Sequence, residues 1–208
     1  MFRKIIVNIQ NIFFFKCLEW QLRDCKTVLD VGCGYDSALG HIQKTFKSEG
    51  IEIYPKTLSL SKKRKLHDVY RLGDIRKLNR FYKRKSFDAA VSIDVIEHLK
   101  KNEAIAMIKM METIATKRVI LLTPNGFYKQ EAYDGNPYQI HKSGWVRSDL
   151  EKLGYKVYGL RGLRVLRTEH AGIRYKPYFF WGFVSLISEI LFFFHPDVCF
   201  DLFAVKEV

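Results

Sequence analysis

The chain has 208 residues and carries a formal charge of +13, with 35 Lys and Arg against 22 Asp and Glu, which is enough length for one domain with a real core. Its four cysteines, Cys17, Cys25, Cys33 and Cys199, lack paired ligand spacing, so a cysteine metal site is excluded and free thiols in a reducing, cytoplasmic setting are expected. The charge admits nucleic acid, anionic lipid or a solvated surface as its cause, and no RNA-binding motif with stacking aromatics accompanies it.

In chain order, residues 1–24 open with a helix. Its apolar part, 5–15, is followed by Lys16, Glu19 and Trp20 where a small-residue cleavage site would have to stand. It therefore reads as a helix covering a sheet edge or a ligand, not as a signal peptide. A strand over 27–31 then enters Val28-Leu29-Asp30-Val31-Gly32-Cys33-Gly34, an apolar run meeting an acid and two glycines spaced by one residue. Such glycines bend the chain sharply and let a ligand approach the backbone. Ser37 to Phe46 is expected to start a helix aimed at that ligand.

Asp30 selects among ligands. A pyrophosphate would be repelled by a carboxylate at the strand end, whereas the α-ammonium of S-adenosylmethionine would be held there. Ser37 stands where a dinucleotide fingerprint wants its third glycine, and no Gly-Lys-Ser/Thr follows, which excludes a P-loop.

Further strands are expected near 50–53, 69–72, 87–93 and 117–123, alternating with helices, and this alternation specifies an α/β fold with a doubly wound, mostly parallel sheet. Ligands in such sheets bind beyond the carboxyl ends of the strands. Glu52, Asp74 and the group Asp94, Glu97 and His98 all fall there. Beyond, Ser143 to Leu153 reads as a helix with a serine cap, ended by Gly154, with strands over 155–159 and 199–205.

Together, the motif at 28–34, the later acids in register and the run Phe87 to Leu99 resemble the class I S-adenosylmethionine-dependent methyltransferases over about residues 24–160. The first motif departs from the family's Asp/Glu-x-Gly-x-Gly-x-Gly only in Asp36, which takes the last glycine position. The resemblance implies a seven-stranded Rossmann-like sheet with an antiparallel last strand. It also implies S-adenosylmethionine as cofactor, held by Asp30, Gly32, Gly34, Glu52 at the ribose, Asp74 at the adenine amino group, Ile75 over the ring, and Asp94.

Catalysis of the implied methyl transfer needs an aligned acceptor and, for a hydroxyl, a base; His98 and His141 are the candidates. Asp94, Glu97, His98 and His141 also resemble the acid-x-x-Glu-His of ubiquinone-pathway O-methyltransferases and small-RNA terminal 2′-O-methyltransferases, where a divalent metal would orient hydroxyls. Here the first acid is the shorter Asp, and no metal ligand is assigned.

Between the last two strands lie about 40 residues, long for a connection without a purpose. This insert, 161–197, begins with Arg161, Arg164, Arg167, Arg174 and Lys176 and continues as an apolar stretch, 178–194. Those roughly 17 residues would span about 25 Å as a helix, short for a bilayer crossing. Gly182, Ser185, Ser188 and Glu189 gather on one side, leaving a broad aromatic face preceded by cations. That pattern suits a membrane interface or a lipidic substrate, with a dimer contact or core helix as the alternative. The expectation is a cytoplasmic, membrane-associated methyltransferase acting on oxygen of a small or lipid-linked acceptor. An RNA methyltransferase and a non-catalytic member of the fold are the alternatives.

Overall fold

In the computed structural model, which describes residues 2–132, 134–169 and 171–208, with side chains from residue 11 onward, one sheet organises the chain. Helix α1 (Phe2–Leu22) leads into β1 (Thr27–Val31), β2 (Lys47–Glu52), α2 (Pro55–Arg64), β3 (Val69–Leu72) and β4 (Phe87–Ile93). Helix α3 (Lys101–Ile114), β5 (Ala115–Pro124), α4 (Arg147–Glu151), β6 (Lys156–Leu163), α5 (Tyr178–Leu191) and β7 (Cys199–Glu207) complete it.

The seven strands lie in the order β3-β2-β1-β4-β5-β7-β6. All neighbours are parallel except β7, which runs antiparallel to both β5 and β6. Parallel pairs need long crossovers, and α2 and α3 supply helices for two of them. The order reverses between β1 and β4, so a crevice must open at their carboxyl ends.

Both faces of the sheet are covered, which is why β1 and β4 read as apolar runs. On one face Met107, Ile108, Met111 and Ile114 of α3 pack with Leu29, Ala90, Val119 and Leu202. On the other, Phe14, Leu18 and Leu22 of α1 pack with Val28, Val91, Ile120 and Phe203. The expected N-terminal helix is thus a lid on one face of the sheet. Each fully buried Leu or Ile in these layers contributes about 1.5–3 kcal/mol of transfer free energy.

Three local expectations give way. No α-helix follows the glycine turn: only a 3-10 turn, Ala38–His41, forms, with the Ser37 hydroxyl accepting from Leu39 N–H. Of the turn's own residues only Leu39 is buried, and β2 starts at Lys47, three residues earlier than expected, leaving no room for more turns. The helix expected from Ser143 begins instead at Arg147, with the Asp149 carboxylate accepting from Val146 N–H at 3.0 Å. Trp145 is the reason. It is fully buried, and its indole N–H donates to Ser143 Oγ at 3.1 Å, which pulls this segment against the sheet. Finally, β6 runs on to Leu163, so Arg161 belongs to a strand and not to the connection after it.

Candidate active site

A cavity of about 770 Å³ runs along the carboxyl ends of β1, β2 and β4 at the reversal of strand order. Asp30, Gly32, Gly34, Glu52, Asp74, Ile75, Asp94 and His98 all line it; His141 does not, and sits behind His98 with ring centroids 4.8 Å apart.

The glycine turn is built as its sequence requires. Gly32 and Gly34 have φ of +76° and +61°, and a Cβ on Gly32 would lie 2.7 Å from Val95, whereas Gly34 faces open space. Glycine is therefore demanded at the first position by contact and conformation, and at the second by conformation. Asp36, at the family's third glycine position, needs no left-handed backbone and pairs instead with His41 at 3.0 Å and with Arg64.

The acids at this end all have partners. Asp30 is buried, accepts from the Ser37 hydroxyl and faces His67 Nε2 at 3.3 Å. Glu52 takes the N–H groups of Gly34 at 3.2 Å and Tyr54 at 2.8 Å, so β2's end is tied to the glycine turn. Burial raises its pKa, against the lowering effect of those N–H groups. Asp74 caps the turn beginning at Ile75 and is clasped by the Arg76 side chain, whose hydrogen bonds hold its carboxyl below the usual range.

At the other end, beyond β4, the chain turns sharply at Asp94, whose φ is +53°. Lys142 and Ser143 both donate their backbone N–H to the Glu97 carbonyl, at 2.7 and 3.1 Å, and this brings His141 to His98. Two titratable groups here have an atom without a partner. Asp94 Oδ1 and His98 Nδ1 are buried with no hydrogen bond among the described residues. Asp94 opens onto the cavity, half-buried, and desolvation raises its carboxyl against the pull of Arg161 and His141.

Glu97 accepts from the Thr123 hydroxyl at 2.9 Å; burial, then the neighbouring Asp94, push its pKa well above the carboxylate range. Burial, with His141 and Lys142 adding, lowers His98 to about 4, so it is neutral at physiological pH. His141 Nδ1 lies 2.7 Å from the Tyr128 carbonyl and so acts as the donor, which leaves Nε2 to accept.

Glu97, His98 and His141 bring donor atoms within 4.8 Å of one another, a set suited to a divalent cation; Asp94 is not part of that group. The cavity's length, its glycine turn and its acids at three strand ends fit a nucleoside with a cationic tail.

Residues 29–118 match the family model for a methyltransferase domain. Over that stretch, under half of its 208 residues, the chain is similar to methyltransferase domains. No curated protein matches the sequence.

Among solved structures, the methyltransferase domain of bacterial CtHen1-C is 20% identical with a TM-score of 0.58, over 93% of this chain and 96% of that one. Magnesium protoporphyrin IX methyltransferase from Synechocystis PCC 6803 with bound SAH is 14% identical with a TM-score of 0.57, over 100% of this chain and 87% of that one. A SAM-dependent methyltransferase from Archaeoglobus fulgidus is 15% identical with a TM-score of 0.56, over 93% and 94%. At such identities the likeness is one of fold.

Sequence reasoning did not place four groups of the protein at this site. Arg161 and Lys142 line the cavity, and Asp201, on β7, lies 2.9 Å from the Arg161 guanidinium. Burial pushes Asp201 up to about 7 although Arg161 opposes it. His67 stands behind Asp30. The one signal available in the sequence was Asp201 itself, a lone acid in the apolar run Cys199 to Val205.

Proposed function

We propose that the protein is an S-adenosylmethionine-dependent methyltransferase acting on oxygen of a small or lipid-linked acceptor at a membrane surface. Asp30, Gly32, Gly34, Glu52 and Asp74, with Ile75 beside the adenine, would hold S-adenosylmethionine, and Asp94 would border its methionine end. When bound, the cofactor supplies an activated methyl group. The chain's own part is alignment, which contributes about 7–11 kcal/mol where geometry is good, and removal of the acceptor's proton. His98 lines the cavity as a neutral imidazole whose buried Nδ1 has no hydrogen bond among the described residues, and the His141 ring behind it would pass a proton on.

The observation that carries the membrane reading is the inverted polarity of α5. It buries Gly182, Ser185, Ser188 and Glu189, while Phe179, Phe183, Ile190 and Leu191 are 61–66% exposed. A surface helix normally does the reverse. Arg174 and Lys176 are exposed just before it, matching the anionic surface of a bilayer. Helix α1 links this face to the site: Phe13 meets Phe193 edge-on at 5.6 Å, while Ile12, Phe14 and Phe15 line the cavity. Among the described residues no helix is long and apolar enough to cross a membrane, so contact would be along the surface.

The test is transfer of radioactive methyl from S-adenosylmethionine to a membrane extract, an aqueous small-molecule extract and total RNA in parallel. Label in base-stable ethers of the membrane or small-molecule fraction is the expected result. Label confined to RNA would overturn the reading and transfer the role to the basic surface.

A further inference from the structure

Strand β6 is irregular where it meets the cavity. Leu160 pairs with Asp201 and Leu163 with Cys199, so Arg161 and Gly162 together oppose Phe200 in a bulge. Both take left-handed backbone, with φ of +60° and +66°. For glycine this is ordinary; for arginine it must be imposed.

Helix α5 imposes it. Glu189 Oε1 accepts from the Arg161 N–H at 2.8 Å, the Arg161 carbonyl accepts from Arg167 Nε at 2.9 Å, and Leu163 N–H donates to Ser188 Oγ at 3.0 Å. A Cβ on Gly162 would lie 2.2 Å from the Ser185 carbonyl oxygen, so helix and bulge are in backbone contact.

The consequence is the direction of the Arg161 side chain, which lines the cavity. Nη1 lies 2.9 Å from Asp201 Oδ2, whereas Nη2 is 4.0 Å from Asp94 Oδ2, beyond hydrogen-bond reach. A guanidinium has five N–H donors in a planar fork, and one buried carboxylate does not use them up. Lys142 lines the same end of the cavity, and its ammonium has no hydrogen bond or ion pair among the described residues. Two cations therefore line this cavity, Arg161 beside Asp94 and Lys142 near His98. A bulge, a strained arginine and a helix packed to hold it are more than a solvated surface charge requires.

We propose that Arg161 and Lys142 recognise an anionic group, a carboxylate or a phosphate, on the methyl acceptor, making the enzyme selective for acidic acceptors. The inference rests on the methyl-transfer reading of this site given above. Arg161 suits a planar or tetrahedral oxyanion through paired N–H donors, and Lys142 adds a point charge. The cofactor's own carboxylate is the competing anion.

The test is calorimetric titration of the protein saturated with S-adenosylhomocysteine, using benzoate and phenyl phosphate as anionic probes and benzyl alcohol as the neutral one. The wild type is expected to bind at least one anion about tenfold more tightly than the alcohol. Arg161→Lys and Lys142→Gln should each lose most of that preference while keeping their affinity for S-adenosylhomocysteine.

Equal binding of anion and alcohol by the wild type would overturn the proposal, as would a preference that survives in both variants. A parallel loss of S-adenosylhomocysteine affinity would overturn it too, by assigning the cations to the cofactor. Thermal melts report whether Arg161→Lys folds; if it does not, Lys142→Gln, which breaks no contact, decides alone. Binding is read without turnover, so failure of every hydroxyl acceptor would strike the proposed reaction and leave this result distinct.

Discussion

At the β1–β3 end of the cavity each acid is already engaged: Asp30 by Ser37 and His67, Glu52 by two backbone N–H groups, and Asp74 by Arg76. Beyond β4 the pattern reverses, with Asp94 Oδ1 and His98 Nδ1 buried and unpartnered and Arg161 stretched between two carboxylates. The first region holds its acids in place before any ligand arrives. The second holds polar groups at a cost in desolvation, which a ligand offsets by supplying the missing contacts. On the proposed reading, the pre-organised end would take the cofactor, and the end with unspent polar capacity would be the place of chemistry and acceptor choice.

That contrast can be broken from either side. Replacing His98 by Ala should lower kcat by about 100- to 10,000-fold, as expected for loss of a general base, while the affinity for S-adenosylmethionine measured by calorimetry stays unchanged. A matching loss of cofactor affinity would place His98 in the pre-organised half. Replacing Asp30 by Ala should do the opposite, weakening cofactor binding by roughly 30-fold or more in the same titration, the scale of one hydrogen bond to a charged group.

The link between α5 and the site is tested by Gly162→Ala. Left-handed backbone and a Cβ 2.2 Å from a carbonyl oxygen should together cost about 3 kcal/mol, read as a lowered Tm. A neutral result would mean that α5 is free to move off the bulge.

Glu189 provides a test by pH. Burial raises its pKa to about 6, although the N–H of Arg161 and the charges of Arg167 and Arg161 oppose this. In the folded protein its charged form is therefore disfavoured. Its contribution to stability is full below the unfolded value near 4.5 and is lost as pH rises through about 6. The stability of the wild type relative to Glu189→Gln should fall by about 2 kcal/mol across that window. The comparison with the variant removes the opposing contribution of His98, whose lowered pKa makes stability fall as the solution is acidified towards about 4. Melts that stay parallel over the whole window would show that Glu189 is not desolvated by α5.

The smallest effect on the fold concerns the exposed face. Phe183→Ser should change stability by no more than about 0.5 kcal/mol, because the side chain is 61% exposed, yet reduce flotation with anionic vesicles. Flotation equal to wild type would direct attention to a second copy of the chain as the partner of this face.

What was legible in the sequence differs between the same two regions. Asp30, Glu52 and Asp74 each stand at or just after the end of a strand in the alternating pattern, so position along the chain was enough to place them in one cavity. The helix expected over Ser37 to Phe46 failed because a local pattern does not register how soon β2 must begin. Ser143 looked like a helix cap, but burial of Trp145 gave it another task. Arg161 read as the first cation of a basic connection, since nothing local signals that β6 continues past it with a bulge.

The sequence by itself determined the alternating elements, the mostly parallel direction of the strands, the glycine turn and the acids at the strand ends, because each is written within a few neighbouring residues. It also marked the polar stripe of α5. Only the tertiary structure decided that this stripe faces inward. Only there do Asp94, Arg161 and Asp201 meet, from β4's end, β6 and β7, and only there is Lys142 drawn to His98 through the Glu97 carbonyl. The physical reason is common to all of these: contacts between residues tens of positions apart depend on strand order, register and burial, none of which is encoded at either residue alone.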